Sequence, residues 1–185
     1  SYAIDGWIGY QTPVNLKINR IKFINNLTGW AVCDSGKILK STDGGVSWVL
    51  QNSGTNYKLH SISFINGNTG WCAGGSRNLF ALNNYYLYGT TNGGVTWDSL
   101  FYGIADHSYL NTIYLLSATG GFLLGDGGSG SGTLGFFHIT TNFGTTWNSV
   151  LTQTHIYSDI AFKNNNTGWL LTDYVDDTGG DTAKK

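Results

Sequence analysis

Three aspartates, Asp34, Asp126 and Asp173, each stand four residues after a large aromatic ring. A ring of such carboxylates could hold a metal only if the segments that carry them converged. The plainer reading is a turn in which each Asp bonds its own backbone. The histidines His60, His107, His138 and His155 share no spacing, and none stands near a Ser or Cys as a nucleophile's base would. Glycoside cleavage needs a carboxylate pair, or a tyrosine nucleophile with an acid/base and an arginine cluster. Arg20 and Arg77 are the only arginines, so that cluster cannot be built. The run Gly125–Gly132 lacks the Gly-Lys-Ser/Thr ending of a phosphate loop and reads as a strand connection. The acidic, Gly-rich stretch Asp173–Asp181 has a calcium reading and a plainer one, a solvated turn. Cys33 and Cys72 share a strand face by parity. They read as small buried hydrophobes, with a disulfide between adjacent strands as the alternative. No catalytic, cofactor or metal residue is assigned, and the chain is expected not to be an enzyme.

Composition narrows the classes further. The net charge is −1, and 11 % of residues are charged, against the usual quarter or so. Nucleic-acid binding would need a basic footprint, and an anionic membrane surface would need the same. No apolar run reaches membrane-spanning length. Aromatics make up 15 %, so the core is built largely from Trp, Tyr and Phe. The chain starts without Met or an apolar signal segment, which suggests a processed mature protein or a fragment. With its low charge and abundant Asn and Thr, an extracellular or cell-surface, secreted product is expected.

The elements that carry these residues repeat. Ile21 and Trp30, Ile62 and Trp71, Ile113 and Phe122, and Ile160 and Trp169 all stand nine residues apart. Each Ile sits in a stretch that alternates apolar and polar residues, the pattern of a half-buried strand. An Asn/Ser/Gly turn follows, and the aromatic opens a second strand. Asn26-Leu27-Thr28 and Asn165-Asn166-Thr167 match the N-glycosylation pattern, but both fall in this turn, so turn chemistry explains them.

A second motif follows in three repeats. It runs Ser41, Asp43, Gly45, Ser47, Trp48, then Thr90, Asn92, Gly94, Thr96, Trp97, then Thr140, Asn142, Gly144, Thr146, Trp147, with no gap. The Asp or Asn closes a turn, the Gly can take positive φ, the hydroxyls satisfy loose backbone groups and the Trp anchors the hairpin. Trp7 stands as far before Trp30 as Trp48 does before Trp71, and reads as the closing Trp of a preceding repeat. Four short strands per ~45 residues, repeated, mark a propeller blade.

These boxes resemble the Asp-box, or bacterial neuraminidase repeat. The fuller unit, from Ile21 through Thr28-Gly29-Trp30 and Lys37–Lys40 to the first box, resembles the photosystem II stability/assembly factor family and its secreted bacterial relatives. The resemblance implies an all-β propeller of about four blade equivalents of four antiparallel strands, with one blade split between the N- and C-terminus. It implies a structural role for the boxes, away from the ligand face. The assembly factors also share a basic surface patch used on a membrane partner. The expected units are a blade remnant at 1–14, blades at 15–55, 56–104 and 105–153, and a partial blade at 154–185. Tyr85, Tyr86 and Tyr88, in the one lengthened repeat, form a candidate contact surface for protein or sugar. The leading expectation is a non-catalytic extracellular interaction module that associates with itself by completing the split blade, as a ring or a filament. The alternatives are a carbohydrate-binding or sialidase-like propeller and an assembly factor for a membrane protein complex.

Overall fold

The computed structural model describes residues 2–4, 6–76, 83–105, 108–128, 133–153, 155–164 and 166–174. Asp5, Arg77, His107, Asn165, residues 129–132 of the glycine run and the acidic tail from 175 lie outside the described residues.

The described chain is antiparallel sheet with a single 3-10 turn at Asp34–Gly36. The first blade orders β3 (Ile18–Phe23), β4 (Gly29–Cys33), β5 (Lys37–Ser41) and β6 (Val49–Asn52). The second orders β7 (Leu59–Phe64), β8 (Gly70–Ser76), β9 (Asn83–Thr90) and β10 (Asp98–Ala105). The third orders β11 (Ser108–Leu115), β12 (Gly121–Gly128), β13 (Thr133–Thr140) and β14 (Asn148–Gln153). The fourth is represented by the pair β15 (His155–Asn164) and β16 (Thr167–Tyr174). A separate pair, β1 (Tyr2–Ile4) and β2 (Trp7–Gly9), precedes them, with Trp7 opening β2. The protein is a β-propeller, each blade an up-and-down sheet stacked on the next. The two pairs at either end of the described chain are distinct sheets and share no ladder.

The Thr-Gly-Trp signature has a packing cause. A Cβ on Gly29 would lie 2.7 Å from the ring of Phe23, and one on Gly70 2.5 Å from the ring of Phe64. The ring on the inner strand lies flat over the glycine that pairs with it across the hairpin. The turn between them is closed by a side chain: Asn25 Oδ1 accepts the amides of Leu27 and Thr28, and Asn66 Oδ1 those of Asn68 and Thr69. Ser117 and Asn164 do the same in the later blades.

Alternate residues of each strand serve two different cores. Trp30, Val32 and Ile38 face the second blade and pack with Ile62, Phe64, Cys72 and Tyr88. Trp71, Ala73 and Leu87 face the third, against Leu115, Leu123 and Trp147. Phe122 and Leu124 face the fourth, against Tyr157, Ile160 and Phe162. Cys33 and Cys72 are both buried and both free. They share a face by parity, but on different blades, so a whole sheet separates their clusters.

Candidate functional site

The three boxes are closed hydrogen-bond circuits. Ser41 Oγ accepts the Gly45 amide at 2.8 Å and donates to Asp43 Oδ1 at 2.8 Å. The Asp43 carboxylate in turn accepts the amide and hydroxyl of Ser47. These bonds, led by the Ser47 hydroxyl, hold the Asp43 carboxyl at a pKa of about 2. In the second box Thr90, Asn92, Gly94 and Thr96 repeat the circuit, with Asn92 Nδ2 donating to Thr96 Oγ1 at 2.8 Å. Thr140, Asn142, Gly144 and Thr146 form the third. The Trp48 and Trp147 indoles donate to the Gly45 and Gly144 carbonyls. Each box is also tied to the inner hairpin turn of its own blade: the Gly44, Gly93 and Phe143 amides donate to the Leu27, Asn68 and Thr119 carbonyls. With its acceptors committed in this way, the box carboxylate is a turn element.

The three aspartates that follow the large aromatics do not form one repeated turn. Asp34 takes a hydrogen bond from Asn19 at 2.9 Å, which lowers its pKa, and stands 3.8 Å from Lys58. Asp126 and Asp173 lie within β12 and β16 rather than in turns, because the later hairpins run to eight residues a strand. Among the described residues no three His, Cys, Asp or Glu side chains gather as a metal would require.

The side chains that do gather lie at the propeller axis. β3, β7, β11 and β15 are the innermost strands, and each carries a bulge at the same repeat position, before Arg20, Ser61, Thr112 and Asp159. A bulge rotates the side chains that follow it. Bulged Asn19 sends its amide to the Leu59 carbonyl of the next inner strand at 2.8 Å, and Asn111 sends its own to the Tyr157 carbonyl. Ser61 and Ser63 accept the Ile113 and Leu115 amides at 3.1 and 2.9 Å. The inner strands are thus stitched blade to blade by short polar side chains. At the axis they leave an open pocket of ≈ 310 Å³, whose polar lining is Arg20, Lys22, Ser63, Thr112, Tyr114 and Asp159. Arg20 reaches across it to Asp159 at 3.2 Å, with both side chains about half exposed. Such a pair is worth ~0–1 kcal/mol and exchanges readily for another partner. Sequence reasoning counted Arg20 but did not place it, and missed Lys22, Thr112 and Asp159. The available signal was variation, Arg/Ser/Thr/Asp, at the position beside an Ile that never changes.

The tyrosine trio divides. Tyr88 is 9 % exposed and belongs to the core between the first two blades. Tyr86 stacks on Tyr57 at 4.5 Å. Tyr85, on the opposite strand face, stacks on Phe136 of the third blade and borders a cleft of ≈ 360 Å³. His138, Trp147, Thr145, Thr146 and Ser149 complete that cleft with Leu123. His138 Nδ1 is buried there without a hydrogen-bond partner, and burial lowers the imidazole pKa. Alternation along β9 explains the split: odd positions look to the third blade, even ones to the first.

Stacked four-stranded sheets, box circuits at the outer hairpins and a polar pocket where the inner strands meet define an Asp-box β-propeller. The profile described as photosynthesis system II assembly factor YCF48 matches residues 2–105, and the chain belongs to that family. The solved structure titled "YCF48 bound to D1 peptide" superposes with a TM-score of 0.64 at 19 % identity, covering 85 % of this chain and 46 % of that one. The α-L-arabinofuranosidase Arb93A from Fusarium graminearum, solved with an iminosugar inhibitor, gives a TM-score of 0.50 at 13 % identity, covering 82 % of this chain and 55 % of that one. At these identities the likeness is one of fold. The chain spans about half the length of either structure. No curated protein matches its sequence significantly.

Family membership overturns one expectation. A family defined by assembly of photosystem II works within the cell, so the extracellular, secreted reading is wrong. The composition misled for a physical reason. Asn, Thr, Ser and Gly are abundant because every blade needs Asx turns and box hydroxyls, whatever compartment holds the protein.

Proposed function

We propose that this chain is a non-catalytic propeller that holds a segment of another protein during assembly of a membrane complex, with the axial pocket as its seat. The observation that carries the reading is the convergence of Arg20, Lys22, Ser63, Thr112, Tyr114 and Asp159 at the inner strands. A cation, an anion, hydroxyls and a ring in one open pocket suit a short polypeptide, which presents carbonyls, amides and charged side chains together. Membership of the assembly-factor family and the solved YCF48 complex with a D1 peptide support the same class of partner. The commitment of the Asp43 carboxylate to its own turn supports a non-catalytic role.

The test is a calorimetric titration of the purified chain with D1 peptide and with a scrambled control. Selective binding that weakens at least tenfold in the double variant Arg20→Ala, Lys22→Ala is expected. Equal binding of both peptides, or indifference to the double variant, would overturn the assignment. The cleft of Tyr85, His138 and Trp147 supports a second reading, a glycan partner, since a ring face beside hydroxyls suits a sugar. Oligosaccharide binding lost in Trp147→Ala but retained in the axial double variant would favour it.

A further inference from the structure

The chain holds two Asn-Gly pairs, Asn66-Gly67 in the inner hairpin turn of the second blade and Asn92-Gly93 in its box. The two turns touch, since the Gly93 amide donates to the Asn68 carbonyl at 2.8 Å. An Asn side chain can be attacked at Cγ by the backbone nitrogen of the residue that follows. The attack needs an uncommitted nitrogen, an amide oxygen that can carry negative charge, and water for the product. Asn66 meets all three needs. Its Oδ1 accepts the Asn68 and Thr69 amides, both at 2.8 Å. Two backbone donors on one oxygen make an oxyanion hole for the charge that develops there. Asn66 is exposed, and the Gly67 amide donates to nothing among the described residues. Gly67 has no Cβ to shield its own nitrogen.

Two siblings each lack one condition. Asn25 Oδ1 accepts the Leu27 and Thr28 amides at 2.9 and 2.7 Å, the same cradle, but the next residue is Asn26, whose side chain hinders the attacking nitrogen. Asn92 is followed by a glycine, but Gly93 is buried and its amide is committed to Asn68. The Asn92 side chain is pinned as well. Its Oδ1 takes the Thr96 amide at 3.0 Å, and its Nδ2 donates to Thr96 Oγ1 at 2.8 Å.

We propose that Asn66 is a self-modification site, at which the chain deamidates through its own backbone with water as co-reactant. The Gly67 nitrogen loses its proton and bonds to Asn66 Cγ. The Cγ–Nδ2 bond breaks, and the amide nitrogen leaves with that proton as ammonia. Water then adds to either carbonyl of the succinimide and opens it to an aspartate or an isoaspartate at position 66. The two products differ. The aspartate keeps an acceptor for both turn amides. The isoaspartate routes the main chain through Cβ, lengthens the turn by one atom and draws the Asn68 carbonyl off the Gly93 amide. Gly93 holds much of the seam between the first two blades, because its carbonyl takes Trp30 Nε1 at 3.3 Å, Lys40 Nζ at 3.2 Å and Gln51 Nε2 at 3.0 Å. Isoaspartate at position 66 therefore loosens that seam as the protein ages.

The test is to hold the full chain in mildly alkaline buffer and follow each Asn by peptide mass spectrometry, with isoaspartyl methyltransferase labelling to separate the products. Asn66 should deamidate at least tenfold faster than Asn25 and Asn92. Its rate should rise with pH, because the attacking nitrogen must lose a proton. A Cβ on Gly67 would meet only Ile24 Cδ1, at 4.0 Å, and Gly67 has no left-handed φ. Gly67→Ala should therefore fold normally and deamidate at least tenfold more slowly. The isoaspartate form, isolated by chromatography, should unfold at a lower temperature than the Asn66→Asp variant. An Asn66 that stays intact, an Asn92 that keeps pace with it, or a Gly67→Ala chain that deamidates at the wild-type rate would each overturn the proposal. So would an isoaspartate form as stable as Asn66→Asp. None of these readouts depends on peptide binding at the axis.

Discussion

Replacing Trp30 by Ala tests whether blade-to-blade stacking, rather than the motif itself, holds this propeller together. The indole is fully buried, lies flat on Phe64 at 3.6 Å, and carries Lys40 Nζ at 5.1 Å from its ring centroid. Burying an aromatic of ~150–250 Å² at ~25 cal/mol/Å² gives ~4–6 kcal/mol as an upper bound. Large-to-small aromatic truncations in cores cost ~3–5 kcal/mol, and a similar loss is expected here. For a chain of this size that is a fall in Tm of about 6–20 °C. Trp169 occupies the same motif position but is 61 % exposed, so Trp169→Ala should change stability by less than ~0.5 kcal/mol in a monomer. Both should be measured by urea denaturation at one protein concentration. Equal losses at the two sites, or a loss below ~1 kcal/mol at Trp30, would refute the reasoning.

Acid should expose the difference between the boxes. The folded-state pKa of Asp43 is about 2, below the unfolded value of ~3.9, so its stabilisation is present above pH ~4 and is lost as pH falls through 2. Asp43→Asn, which copies the other two boxes, should flatten the stability profile between those limits in denaturation experiments at stepped pH. Phe143 holds φ 57 where the sibling boxes have Gly44 and Gly93, and its ring lies 5.4 Å from Trp71. Phe143→Gly should therefore be more stable than Phe143→Ala in thermal unfolding, by about 1 kcal/mol, because both lose the ring but only Gly relieves the backbone. Gly121→Ala would place a Cβ 2.3 Å from the Trp71 ring and 2.6 Å from the Tyr114 carbonyl. A loss of ~1–3 kcal/mol from overpacking is expected in thermal unfolding, and no loss would mean that the second and third blades pack loosely.

Much of this architecture could be read before any coordinates. Strand alternation about Ile21, Ile62, Ile113 and Ile160, Asx turns and box hydroxyls act over a few residues, and local chemistry is carried in the order of the letters. Even the glycine before each Trp has a short-range cause, since Phe23 and Phe64 cover it from across a hairpin. The axial pocket was not visible in this way. Arg20, Thr112 and Asp159 are far apart in the chain, and a repeated bulge turns each of them inward. Composition also pointed to the wrong compartment, because turn chemistry imitates the residue usage of secreted proteins.

The repeat alone determined that this chain folds into stacked antiparallel sheets, since hairpin closure and alternation depend on neighbours in sequence. Burial was settled only by the stacking of one blade on another. Trp30 and Trp169 stand at the same place in the same motif, yet one is sealed and the other bare. The cause is long-range: a ring is removed from water only when another sheet covers it, and no residue within its own hairpin can supply that cover.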